Sequence, residues 1–281
     1  MTQGLLIQTS PSTGGQPPQG VPRWQFVGSV QSIHSRAAQA PAPRRRSEVD
    51  TVAGYGVVGD RHACAHSPRQ ILIAGNPAYE RFGLPAATLR ENVRINFSTV
   101  DLRSGDLLRI GPDVVLWLTF HCEPCKLLER RQPGTIKSIG RHRGMLARVL
   151  RGGSFSVGSD VSLASAVLPA MSDDWKTRVL GVAATVPPGY CIDYRQLAEM
   201  AGVAKAYCRA FPKVLSGLPA AVSGRVVRGA SAFTGPRWNG AELFNVARYL
   251  DQVIPEPCLI DVIDHVHANS SLLSATPQRH A

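Results

Sequence analysis

No run of about 18 consecutive apolar residues occurs in this chain, which excludes a membrane-spanning helix. The first residues also lack the charged start and apolar block of a signal peptide. Residues 1–23 are rich in Ser, Thr, Gly, Gln and Pro, too polar to bury a core, and are expected to form a disordered tail. The six cysteines (64, 122, 125, 191, 208 and 258) are scattered through 281 residues. A chain of that size needs no disulfide staples, so reduced thiols in a cytoplasmic protein are the simplest account. Cys122 and Cys125 form a C-x-x-C, but no second such pair lies near it in sequence. Structural zinc, which needs about four ligands, therefore has no obvious set. Acidic residues are also scarce, 20 against 31 Lys and Arg, for a net charge of +11. Residues 1–171 carry +9 of it and residues 172–281 only +2. Arginine dominates the basic half, the side chain suited to bidentate contacts with phosphate, which points to an anionic ligand.

The chain reads as two units of about the usual domain size. Strands are expected at 24–34, 70–74, 92–97, 107–110, 114–120 and 155–163, with turns of Gly, Asp, Pro and Ser between them. Many short strands with few helices predict a closed or partly closed β-barrel over residues 24–168. One helix is expected inside it at 140–150, where Met145, Leu146, Val149 and Leu150 make an apolar stripe. The arginine triplet 44–46, after the Pro- and Ala-rich stretch that ends at Pro43, reads as a flexible loop. After a linker at 168–172 the grammar changes. Ser172-Asp173-Asp174 supplies N-cap chemistry for a helix to Thr185. Asp193 caps another at 194–200, Ala201-Gly202 makes a tight turn, and 205–215 reads as a second helix. A strand at 222–229 and an amphipathic helix at 239–252 follow. The expected second unit is a small, mainly α winged helix-turn-helix domain over 173–252, with a C-terminal extension at 253–281. His265 and His267 in that extension read as surface residues.

The most informative stretch is Leu118-Thr-Phe-His-Cys-Glu-Pro-Cys125-Lys126. An apolar strand delivers a Pro-Cys pair to the start of a helix at 126–131. Helix N–H groups and Lys126 favour the thiolate, the form that binds soft metals and attacks sulfur or carbon. Cys125 is the leading candidate for chemistry, against a bland alternative as a small buried core residue.

Around it lie short motifs in a fixed order. Gly59-Asp60-Arg61-His62-Ala63 is followed by Arg69-Gln70-Ile71-Leu72-Ile73 and Glu91-Asn92. Ser104 to Gly111, Pro124-Cys125, Arg143-Gly144-Met145 and Gly152-Gly153 leading to Val157-Gly158 complete the series. In that order, residues 24–165 resemble the MOSC family, the domain at the C-terminus of molybdenum-cofactor sulfurases and in molybdenum-dependent N-hydroxyl reductases. Arg90 stands where that family usually has Gly, and Gly158-Ser159-Asp160 is a looser form of its Gly-Asp turn. The resemblance implies the molybdopterin form of the molybdenum cofactor. Cys125 would ligate molybdenum or carry sulfur, and Arg61, His62, Arg69, Asn92 and Lys126 would hold the cofactor. The cofactor itself would supply the redox step.

A second resemblance covers residues 173–252. Val179-Leu180-Gly181-Val182, Val186-Pro187-Pro188-Gly189, Asp193 to Ala198 and Ala201-Gly202 are spaced as in the DNA-binding domain of O6-alkylguanine-DNA alkyltransferases. By that likeness Tyr194 would contact the target phosphate and Arg209 would fill the gap left by a flipped base. Val222-Ser223-Gly224-Arg225-Val226 replaces the acceptor motif of that family. Ser223 stands for the nucleophilic cysteine and Gly224 for its activating His, so alkyl transfer is excluded. A lesion-binding module of the alkyltransferase-like type, using Tyr194, Arg209, Ser223 and Arg225, is what survives. Two functions follow. One is an enzyme that reduces N-hydroxylated small molecules or nucleobases, served by an electron-donor protein, or that carries sulfur on Cys125. The other is a non-catalytic sensor of damaged DNA, for which a charge of only +2 in the second half is weak support.

Overall fold

The computed structural model describes residues 23–233 and 235–246. The expected tail before residue 23 and extension after residue 252, His265 and His267 included, lie outside the described residues. The strands are β1 Gln25–Ser35, β2 Arg44–Arg46, β3 Glu48–Val52, β4 Gly56–Val57, β5 Ile71–Gly75, β6 Val93–Ile95, β7 Leu107–Ile110, β8 Val114–His121, β9 Met145–Arg151, β10 Gly153–Ser156 and β11 Asp160–Ala164. Two short helices interrupt them, α1 Asn76–Phe82 and α2 Lys126–Arg131. Strand β1 pairs with β11 along its first half and with β6 along its second. The ring then runs through β7, β8, β9 and β5, with only β5–β6 parallel, and closes into the expected barrel. A separate sheet of β10, β3 and β4 flanks it.

Apolar side chains fill the barrel: Val30, Ile33, Ile71, Ile73, Val93, Ile95, Leu108, Ile110, Leu116, Leu118 and Met145 lie in one fully buried cluster. Every residue of β8 is buried. Alternate side chains point inward, while Val115 and Trp117 pack outside with Leu168 and Val246. Burial on both faces also explains why the expected helix at 140–150 is instead a turn of 3-10 helix, Gly140–Arg143, followed by β9. A strand covered on both sides loses apolar–polar alternation, and its apolar run mimics a helical stripe. Arg148 is buried in β9, stacks 4.2 Å from Phe244 and donates to the Ser67 carbonyl at 3.0 Å. The arginine triplet is a strand rather than a loop, paired with residues 33–35 and exposed. Residues 155–163 form two strands separated by a turn.

Beyond the barrel lies a small helical region, with α3 Trp175–Thr185, α4 Tyr194–Met200, α5 Phe211–Leu215 and α6 Ala220–Ser223. Asp174 caps α3 by accepting from the Thr177 N–H at 2.9 Å, and Asp193 with Gln196 makes a reciprocal capping box on α4. The helix expected at 205–215 is split into a 3-10 segment, Lys205–Ala210, and α5. Pro212, with no N–H and a ring that clashes one turn back, breaks it. The strand expected at 222–229 shrinks to β13 Val226–Val227, paired in parallel with β12 Ile192–Asp193, and 220–223 is helical. Of the helix expected at 239–252, Ala241–Phe244 is a 3-10 turn that ends at the extended Asn245, and residues 247–252 lie outside the described residues. These elements share their own core around Val179, Leu197 and Phe211. Among the described residues no winged helix-turn-helix is seen.

The helical region docks on the barrel through its tight turn. Gly202 has φ +64°, and a Cβ there would lie 2.7 Å from Phe120 Cζ and from Pro68 Cγ. Only glycine permits both that backbone and that approach. The Arg69 guanidinium donates to the Gly202 carbonyl at 2.9 Å, and Cys64 Sγ donates to Glu199 Oε1 at 2.8 Å. Among the described residues no helix is long and apolar enough to cross a membrane.

Candidate functional site

Strand β8 ends on Phe120 and His121, and a short loop carries the chain to Cys125 at the N-cap position of α2. Cys122 is buried beside Leu72, Phe120 and Leu146, and its N–H donates to the Gly144 carbonyl at 2.8 Å. Cys125 is exposed. Its carbonyl accepts from Leu128 N–H at 2.9 Å, and Leu128 is buried in a satellite core with Tyr79, Leu89 and Ile139. The two thiols of the C-x-x-C therefore differ in kind: Cys122 is a packing residue and Cys125 is presented to solvent. Lys126 beside it is exposed. Among the described residues no group of three or more His, Cys, Asp or Glu is arranged to hold a metal ion by itself.

Two arginines that the sequence does not nominate as ligands lie in its neighbourhood: the charge of Cys125 acts on Arg90, and so does that of Arg143. Arg90 has φ +57°, a left-handed conformation that costs a non-glycine residue about 1 kcal/mol. That conformation accounts for the glycine its position usually carries. Arg90 Nη2 is buried without a hydrogen-bond partner. Loss of solvation and the neighbouring Arg131 and Arg143 lower its pKa, while the charge of Cys125 opposes them. Arg143 is 7 % exposed, and its Nε and Nη1 have no hydrogen-bond partner either. The following Gly144 fixes it: at φ +113° a Cβ would lie 2.4 Å from the Ile73 carbonyl oxygen. Buried guanidinium N–H groups without acceptors are costly, by about 1–3 kcal/mol or more each. Three such donors on two neighbouring arginines, Arg90 being within reach of the Cys125 charge, are suited to an anion.

The wall behind Arg90 is polar and buried. A cavity of about 20 Å³, room for roughly one water, is lined by His34, Ser35, Arg36, Asp60, His62, Arg90, Glu91 and Asn92. Glu91 accepts from the Tyr79 hydroxyl at 2.6 Å, and burial raises its pKa. His34 Nδ1 lies 3.9 Å from Glu91 Oε1, and burial first, then Arg94 and Arg45, keeps His34 below its usual pKa. Asp60 forms the expected turn, accepting from the backbone N–H groups of Arg36 and His62 at 2.8 and 2.9 Å. Loss of solvation lowers the pKa of His62, at the cavity rim. Arg61 is exposed beside it.

Two of the residues expected to hold a cofactor have other work. Asn92 accepts from Leu72 N–H at 3.0 Å and donates to Asp60 Oδ2 at 3.1 Å and to the His34 carbonyl at 3.4 Å. All its polar groups are engaged within the protein, so it braces the cavity wall rather than reaching a ligand. Arg69 spends one arm of its guanidinium on Gly202.

The residues expected to touch DNA lie on α4, the 3-10 segment after it, α6 and the turn before β13. The Tyr194 ring packs edge-on against Phe211, with centroids 5.5 Å apart. One arm of the Arg225 guanidinium donates to the Val186 carbonyl at 2.6 Å, and Ser223 Oγ lies 3.5 Å from the Ala220 carbonyl. Arg209 is exposed. A separate open cleft of about 610 Å³ is lined by Arg195, Lys205, Arg237, Trp238, Asp193 and Glu199, among others.

The structure resembles those of the YUAD protein of Bacillus subtilis (17 % identity, 50 % of this chain and 98 % of that one, TM-score 0.44) and YiiM of Escherichia coli (17 % identity, 68 % and 94 %, TM-score 0.42). YiiM of Geobacillus stearothermophilus is similar at 18 % identity, over 68 % of this chain and 99 % of that one, with a TM-score of 0.39. Among proteins of curated function none matches this chain. Residues 59–162, the stretch that holds Arg90, Cys125 and Arg143, match the model of the MOSC domain family.

Proposed function

We propose that the barrel binds the molybdenum cofactor in its molybdopterin form and acts on small molecules at Cys125. The observation that carries this reading is an exposed thiol whose charge reaches Arg90, with buried N–H groups of Arg90 and Arg143 that find no acceptor among the described residues. Those residues fit the group: a soft thiolate suits molybdenum, and Arg90 and Arg143 would hold a phosphate. When bound, the cofactor supplies two-electron redox chemistry. The chain's part is to ligate through Cys125, to anchor the anion, and to keep water from the buried wall of Glu91 and His34. Reduction of an N-hydroxylated compound, including a modified nucleobase, with electrons from a donor protein, is the reaction proposed. Sulfur carriage on Cys125 is the variant within the same site. The test is the molybdenum content of the purified protein, with activity on N-hydroxylated substrates lost in Cys125→Ala.

The helical region supports a second reading as a DNA-lesion binder through one observation, the exposed cations Arg195, Lys205, Arg209 and Arg237. Titration of the full chain with duplexes with and without O6-alkylguanine at two salt concentrations tests it. Equal affinity for both removes DNA from the account.

A further inference from the structure

The helical region reaches the loop of Cys125 directly. Arg178, on α3, is almost fully buried and lies with its guanidinium 3.6 Å from the ring centroid of Phe120, at the end of β8. Its Nε donates to the Ala201 carbonyl at 2.9 Å, and its Nη1 to the Ser172 and Asp173 carbonyls at 2.8 and 2.9 Å. Those bonds fix the guanidinium within its own region. The remaining nitrogen, Nη2, donates to Glu123 Oε1 at 3.2 Å. Glu123 sits two residues before Cys125. A second tie lies beside it, where the His121 N–H donates to Asp173 Oδ1 at 2.9 Å. The Cys122 N–H, bonded to Gly144, holds the loop from the barrel side.

We propose that the Arg178–Glu123 pair positions the cysteine loop, so that the helical region is a working part of the Cys125 site rather than an appended unit. Arg178 is a positioning residue: its planar fork spends three bonds on fixed carbonyls and one on the loop, an arrangement that lysine cannot reproduce. The pair is held in place by a stacked, buried guanidinium, which distinguishes it from an exposed ion pair of negligible worth. Tyr207 lies on the same side, and its hydroxyl is shifted upward by loss of solvation first, then by the charges of Glu123 and Cys125.

This inference rests on Cys125 as the reactive residue but requires no metal for its test. Glu123 is the residue to change, because its side chain is partly exposed and Arg178 keeps its other bonds. Two measurements are made on the full chain as Glu123→Ala and Glu123→Gln: amide hydrogen exchange of residues 121–128, and the iodoacetamide alkylation rate of Cys125 by peptide mass mapping. Cys208 is the internal control. The expected result is loop exchange about tenfold faster and Cys125 alkylation altered about threefold or more in Glu123→Ala. Both should stay near wild type in Glu123→Gln, whose carbonyl oxygen still accepts from Arg178. Unchanged loop exchange in Glu123→Ala would overturn the proposal. Equal changes in alkylation for Ala and Gln would also overturn it, since they would mean that Glu123 acts by charge alone. Failure to find molybdenum would leave either result standing, so the two readings fail separately.

Discussion

Replacing Arg143 by methionine should make the ligand-free protein more stable and the ligand-bound protein less so. The guanidinium is 7 % exposed, and its Nε and Nη1 find no acceptor within the protein. Each unsatisfied buried donor costs about 1–3 kcal/mol, and a charged group lies at the upper end. Methionine fills similar space without a donor, so Arg143→Met should gain about 1–3 kcal/mol in the absence of anions. For a chain of this size that is a rise in melting temperature of about 2–4 °C per kcal/mol. Adding phosphate should reverse the order. An anion that binds the native state stabilises it by RT ln(1 + [L]/Kd), about 2.7 kcal/mol at a hundredfold excess over Kd, and the variant should lose most of that response. The assay is urea or thermal unfolding of both proteins in anion-free buffer, then across a phosphate titration. A variant destabilised without anion and equally stabilised by phosphate would show that Arg143 is a packing residue and that no anion site exists here.

Other expectations follow from the same geometry. Gly202→Ala should destabilise by about 2–4 kcal/mol, combining the left-handed backbone with overpacking against Phe120 and Pro68; equilibrium unfolding in denaturant checks this, and a change under 0.5 kcal/mol would refute the docking described. His34 and His121 are both held below their usual pKa of 6.5, chiefly by burial. The folded state keeps them neutral while the unfolded chain takes up protons. Their contribution to stability is therefore complete above that pH and is lost as pH falls through 6.5 toward the folded value. Unfolding free energy measured from pH 7.5 to 5 should decline, and His121→Gln should flatten the slope. Cys122→Ala should cost stability, roughly 1 kcal/mol for a small buried side chain, while sparing the chemistry of Cys125; loss of activity in folded Cys122→Ala would make the C-x-x-C a functional pair.

Much of the barrel was legible because its strands are short, bounded by turn residues and apolar on at least one face. Strand β7 Leu107–Ile110 and helix α4 Tyr194–Met200 lie where the sequence places them. Caps made the helix starts readable, since Asp174 and Asp193 act through local hydrogen bonds. Strand β9 was misread because both its faces are covered by tertiary packing, a fact absent from eleven residues of local pattern. Cys125 was legible from its place after an apolar strand and before a helix. Its arginine partners were not, because they come from residues 90 and 143, brought together only by barrel closure. The signals existed: an arginine at a position that usually holds glycine, and an arginine before an obligatory glycine. Asn92 and Arg69 show the converse. Their motifs marked them as important, but their hydrogen bonds go to the fold.

The proposed molybdenum site at Cys125 stands or falls on metal content. Elemental analysis of the wild-type protein and Cys125→Ala, purified side by side from cells that make the cofactor, tests it most directly. Molybdenum approaching one atom per chain is expected in the wild type, with a marked loss in the variant, both proteins being folded. Wild-type protein free of molybdenum, or equal molybdenum in the two, would contradict it.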